Sequence, residues 1–235
     1  GLSQLGPMSR AMKPSEIDDF EKEFGYKPTG IRVAVDALAV FVHKDNPIQC
    51  LSLRQVDAVF SKTRKGGLNK DAATWGDVGL TGEWATKPIS LYGRNSASGT
   101  YGFFKENALF KGDFRDTVKE QPGSASVVQG VTEDRFAIGY SGIGYRTSGV
   151  KPLKLAKKAG DTPFGTDPAE VLAGKYPLSR FLYVYYNAAP GKPLDPLVRE
   201  FLRYVQSRAG QESVVKDGYL PLHAEAVKQE LAKLE

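Results

Sequence analysis

Residues 31–44, IRVAVDALAVFVHK, constrain the fold more than any other stretch of the chain. The segment is rich in β-branched residues and too apolar to alternate, the pattern of a strand covered on both faces. It reads as one long buried strand or as two strands in series. Asp36 interrupts it, and a carboxylate in such surroundings is costly unless something pairs with it.

A strand covered on both faces needs helices around it, and the pattern supplies them. A helix is predicted at 16–24 with Ser15 as a candidate cap, and others at 51–60, 170–173, 197–205, 210–216 and along HAEAVKQELAKL near the end. Strands are predicted at 89–92, 136–140, 150–155 and 180–187. Asp45-Asn46-Pro47 is a turn, and 61–73 a polar loop. Strands and helices alternate, which argues an α/β fold with mostly parallel sheets.

Composition narrows the function classes. One cysteine, Cys50, excludes an internal disulfide framework and a cysteine-based zinc site, and two histidines, His43 and His223, are too few for a histidine-rich metal site. No run reaches the ~18 apolar residues of a membrane-spanning helix. A net charge of +5 over 235 residues, with no Lys/Arg block, is a modest bias toward small anions rather than a nucleic-acid footprint. Gly1-Leu-Ser-Gln-Leu-Gly has neither the basic nor the apolar region of a signal peptide, so the chain reads as a mature product or a fragment.

The chemistry concentrates at SLYGRNSASGTYGFFKE, residues 90–106. A short strand ends near Gly93, small polar residues follow, and a helix begins. The first N–H groups of a helix have no intrahelical partner and carry partial positive charge. Ser98 and Thr100 add hydroxyls, Gly99 permits close approach, and Arg94 offers a two-pronged guanidinium. These parts suit a tetrahedral oxyanion, and they equally suit a plain helix capped by Ser98. The Gly-Lys-Ser/Thr ending of a nucleotide-binding P-loop is absent. A serine nucleophile lacks its G-x-S-x-G elbow and a placed base. Ser9 and Arg10 sit in a turn before the first helix, where Ser9 could donate to an anion and Arg10 could contact it or pair with a carboxylate. Ser124 and Ser126 read as a further helix start, either capping or touching a ligand.

LGPMSR, VAVDALAVFVHKDNP, LYGRNSASGTYGFFKE, QPGSASVV and FAIGYSGIGY, in this order, resemble the phosphate-binding substrate-binding proteins of bacterial ABC transporters. The likeness runs from about residue 5 to 220, and its specific part is R-x-x-x-S-G-T at Arg94, Ser98, Gly99 and Thr100. It implies a type II periplasmic-binding fold, with two lobes joined by two crossing strands. The discontinuous lobe would comprise 1–43 and 178–235, and the continuous lobe 44–177. It also implies a non-enzymatic protein, periplasmic or attached to the cell envelope, that closes on inorganic phosphate and presents it to a membrane permease, with no cofactor or metal. The phosphate ligands would be Arg94, Ser98, Gly99, Thr100, Ser9, Arg10 and Asp36. A binder or sensor of sulfate or molybdate is the alternative.

Two departures from the family pattern matter. Members begin with a strand, a Ser/Thr loop, a helix and a second loop before the position of LGPMSR, so the first lobe is expected to be incomplete without an N-terminal segment. Ser9 stands where many members place an Asp that accepts a proton from phosphate. Asp36, on the crossing strand, is then expected either to accept that proton or to pair with Arg10 or Arg94.

Overall fold

A computed structural model describes residues 3–234. The strands are β1 (Leu5–Met8), β2 (Thr29–His43), β3 (Cys50–Ser52), β4 (Ser90–Arg94), β5 (Lys119–Gln121), β6 (Ala137–Gly142), β7 (Val150–Pro152), β8 (Lys154–Ala156) and β9 (Ser179–Tyr186). The helices are α1 (Pro14–Phe24), α2 (Leu53–Phe60), α3 (Gly99–Asn107), α4 (Ser124–Glu133), α5 (Pro168–Leu172), α6 (Pro196–Gln206), α7 (Arg208–Lys216) and α8 (Ala224–Leu231). The chain forms two compact units, Gly1–Asp36 with Arg180–Glu235, and Ala37–Ser179.

In the first unit β1 and β9 pair antiparallel, Leu5 opposite Tyr186 and Met8 opposite Tyr183, and β9 lies beside β2. The core gathers Ile31, Tyr186, Val198, Leu202 and Leu234. Polar side chains fasten the helices to β2. Gln206 donates to the carbonyl of Arg32 (2.7 Å) and Gln211 to that of Val33 (3.0 Å). Glu230, fully buried on α8, accepts the Arg32 amide N–H (3.1 Å), the Arg32 guanidinium and the Lys233 ammonium (2.6 Å). A buried carboxylate so enclosed keeps its charge compensated.

In the second unit the end of β2 runs antiparallel to β6 and to β7, while β4 lies parallel to both β5 and β6. The small sheet of β3 and β8 is parallel. The expectation of mostly parallel sheets is therefore corrected: pairing is mixed. A parallel pair needs a crossover of a dozen or more residues, usually helical. In the larger sheet that requirement is met by the β4–α3–β5–α4–β6 stretch. The core here contains Ala39, Phe41, Val128, Val131, Ala137 and Val150. Gly130 lets α4 lie against β4, since a Cβ there would stand 2.4 Å from the Tyr92 ring.

The crossing segment is one strand of 15 residues, not two in series. Residues 150–155 divide instead into β7 and β8, which belong to different sheets. The helix expected from residue 51 starts at Leu53, because Ser52 caps it with Gln55 in a reciprocal box. Ser15 does not cap α1. That helix starts two residues earlier than expected, at Pro14, whose fixed φ suits a first helical position.

Candidate functional site

Strands β5, β4 and β6 run in the same direction, so their carboxyl ends share one edge of the second unit's sheet. Arg94 ends β4, and α3 begins five residues later at Gly99. Gln121, opposite Arg94, ends β5, and α4 begins at Ser124. Tyr140 and Ser141 lie near the end of β6. Two helix N-termini and a guanidinium therefore meet at the carboxyl edge of parallel strands, where open α/β sheets bind ligands.

Arg94 is held at both its backbone and its side chain. Its N–H donates to the Tyr140 hydroxyl (3.2 Å), which can donate back to the Arg94 carbonyl (3.4 Å). Tyr140 is itself fixed by stacking on Phe104, with centroids 3.9 Å apart and planes 5° from parallel. Burial pushes the Tyr140 hydroxyl well above the ordinary phenol range, so it stays protonated and able to donate. The preceding Gly93 makes room for this ring, since a Cβ there would lie 2.8 Å from it. At the other end of the side chain, Nη1 donates to the Ser124 hydroxyl (2.9 Å), and Nε is buried without a partner.

The sequence-predicted residues Arg94, Ser98, Gly99 and Thr100 thus fall in one strand–loop–helix unit. Ser98 is the N-cap of α3 and its hydroxyl accepts the Thr100 N–H (3.1 Å). Capping and anion contact are compatible, because the hydroxyl hydrogen remains available to donate.

The other three predicted residues belong to the first unit. Ser9 and Arg10 follow β1 in a bend before α1, the turn that the sequence suggested. Arg10 grips Glu16 through two bonds of 2.8 and 2.7 Å. Of the two roles open to Arg10, the described contacts display carboxylate pairing. Glu16 also accepts the Lys13 N–H (2.8 Å), closing the start of α1. The Arg10 guanidinium, assisted by that N–H, holds the Glu16 carboxyl down to about 2. A carboxyl depressed on folding stabilises above its unfolded value and loses that contribution as pH falls toward the folded one. The Glu16 carboxyl resonance is accordingly expected to titrate with a midpoint near 2, and in Arg10→Gln to rise toward the ordinary value while the Lys13 N–H still holds it down.

Asp36 requires a correction. Its partner is Arg180, the first residue of the first unit's return segment, and neither Arg10 nor Arg94. Both Nε (3.1 Å) and Nη2 (2.9 Å) of Arg180 donate to Oδ2. The side chains are 7% and 3% exposed, and Oδ1 of Asp36 is buried with no hydrogen-bond partner. Asp36 and Arg180 stand at the two points where the chain passes between units. Arg180 is the residue that sequence reasoning missed. The signal for it was the demand of Asp36 for a cation, met by the arginine that opens the segment RFLYVYY.

His43 and His223 are occupied locally. Nδ1 of each accepts a backbone N–H, from Asp45 (3.2 Å) and Ala226 (3.1 Å) respectively. No group of three or more His, Cys, Asp or Glu residues suited to a metal ion occurs among the described residues, and no described helix is long and apolar enough to cross a membrane.

A family model described as a PBP superfamily domain matches residues 4–209. The phosphate-binding protein PstS of Pseudomonas aeruginosa is 60% identical over 234 residues, which is all of this chain and 72% of that protein. The crystal structure of a possible phosphate binding protein from Planctomyces limnophilus superposes with a TM-score of 0.71 at 26% identity, covering 98% of this chain and 81% of that one. An ABC-type phosphate transport receptor from Vibrio cholerae shares the fold, with a TM-score of 0.71 at 21% identity over 94% of this chain and 81% of that one.

Proposed function

Because the chain belongs to the PBP superfamily, within the family of the PstS phosphate-binding proteins, we propose that it binds inorganic phosphate for delivery to an ABC-type membrane permease. The observation that carries this reading is the edge where Arg94 meets the N-termini of α3 and α4. A tetrahedral anion there would be held by the guanidinium, by the N-terminus of α3 at Gly99, and by the Ser98 and Thr100 hydroxyls. Closure of two lobes, bringing in Ser9, Arg10 and Asp36 from the first unit, belongs to the same proposal, with differential affinity for the closed form supplying the signal the permease reads.

Asp36 supports discrimination as well. Oδ1 is a buried acceptor that Arg180 does not use. A hydrogen phosphate has a proton to give such an atom, whereas sulfate would set lone pairs against it. We further propose that the protein works in the periplasm or at the cell envelope, with no catalytic step: binding by dipoles and a guanidinium needs neither nucleophile nor cofactor.

Calorimetric titration with phosphate, sulfate and molybdate tests this reading. Phosphate is expected to bind at least about 100-fold more tightly than either of the others, the margin a site gains by leaving a buried polar group unpaired with the wrong ligand. Equal affinity for sulfate would favour the general oxyanion binder instead.

A further inference from the structure

We infer that Ser124 is a positioning residue for the anion, acting through Arg94, and that its neutrality makes the site favour the more highly charged form of phosphate. The inference rests on Arg94 being an anion ligand, as proposed above.

Ser124 is a serine at a helix start that does not cap its helix. The N-cap of α4 is Gly123, and no side chain closes that end. The hydroxyl is instead taken by Arg94 Nη1 at 2.9 Å. Ser124 is 8% exposed, and its carbonyl accepts the hydroxyl of the fully buried Ser141 (3.2 Å). The acceptor that orients the guanidinium is thus itself fixed from β6. Since Tyr140 holds the Arg94 backbone, Arg94 is pinned at both ends by β6 and the segment following β5.

The partner's chemistry sets the charge of the site. A carboxylate at this position would neutralise Arg94 and reduce its pull on an anion. A hydroxyl accepts the N–H and leaves the guanidinium charge whole. Nε is buried without a partner, and no ion pair to Arg94 occurs among the described residues; the carboxylate of Glu120, on β5, acts on the neighbouring Tyr140 hydroxyl. Coulomb attraction then rewards each further negative charge on the anion. Hydrogen phosphate, as the dianion, carries one more charge than the monoanion and still retains a proton for an acceptor such as Asp36.

Phosphate affinity of the protein as its source makes it, measured by calorimetry below and above the second ionisation of phosphate, tests this. The parent is expected to bind more tightly at the higher pH. Ser124→Ala is expected to weaken binding about 10-fold, the effect of losing a bond to a charged group. Ser124→Thr, which keeps the hydroxyl, should return affinity to within about threefold of the parent, as loss of one neutral contact at most would allow. Ser124→Asp, which supplies the neutralising carboxylate, should weaken binding further and abolish its rise with pH. Unchanged affinity in Ser124→Ala, equal losses in the Ala and Thr variants, or a pH profile preserved in Ser124→Asp would overturn the inference. A parent that binds phosphate while Ser124→Ala matches it removes this inference alone. A parent that binds no phosphate removes the function it rests on as well.

Discussion

Arg94→Met is expected to weaken phosphate binding by about 100-fold or more and to leave the thermal midpoint within about 2 °C of the parent. Removing one partner of a desolvated charge pair costs about 2–5 kcal/mol, and about 1.4 kcal/mol is a tenfold change. Stability is spared because the fold holds Arg94 by its backbone. The bonds to Tyr140 are made by the amide and carbonyl that any residue at position 94 would present. The side chain contributes the bond to the Ser124 hydroxyl, and the unbranched Met stem replaces the apolar part of the arginine. Calorimetric titration alongside a melting curve separates the two quantities. Affinity within threefold of the parent would remove Arg94 from the site.

Asp36→Asn is expected to have the opposite profile, with a large loss of stability. Breaking a buried ion pair by neutralising one member typically costs about 3–5 kcal/mol, because a charge remains where water cannot reach it. For a chain of this size the midpoint should fall by about 10 °C. Replacing both partners, Asp36→Leu with Arg180→Met, should recover most of that loss, since apolar groups of similar volume require no desolvation of charge. The same Asn variant, kept below its lowered midpoint, is expected to compete for sulfate more nearly as it does for phosphate. Full stability in Asp36→Asn would show that the pair contributes little. Unchanged anion preference would leave Asp36 a structural residue only.

The sequence made the crossing strand legible because β2 is buried on both faces and its composition declares it. It did not make β1 or β5 legible. Leu5–Met8 contains a glycine and a proline, and Lys119–Gln121 is wholly polar. Each is a strand through the neighbour it pairs with, β9 or β4, and pairing between distant segments leaves no local trace. The site divides in the same way. Arg94 through Thr100 could be read together because one strand, one loop and one helix start carry them in seven consecutive positions. Arg180 could not, since its carboxylate partner lies 144 residues away along the chain. Tyr140 looked like a strand residue, and its bond to the Arg94 backbone follows from the parallel register of β4 and β6, which no pattern of residues specifies. Ser124 was read as a cap or a ligand contact, and the described structure gives its hydroxyl to Arg94.

The tryptophans have a consequence for how the molecule can be watched. Trp75 and Trp84 meet edge to face, Trp84 packs on Phe136, and the Trp75 indole N–H donates to the Phe136 carbonyl (3.1 Å). Phe136 lies beside Ser90, at the start of β4, whereas Arg94 ends that strand. Four residues of extended chain separate them, about 13 Å. Both emitters therefore sit at the far end of the sheet from Arg94, inside a cluster that an arriving anion does not touch. Their fluorescence should stay nearly silent during a phosphate titration and change when the second unit melts. In optical terms, the tryptophan emission reports whether this unit is folded and leaves its occupancy dark.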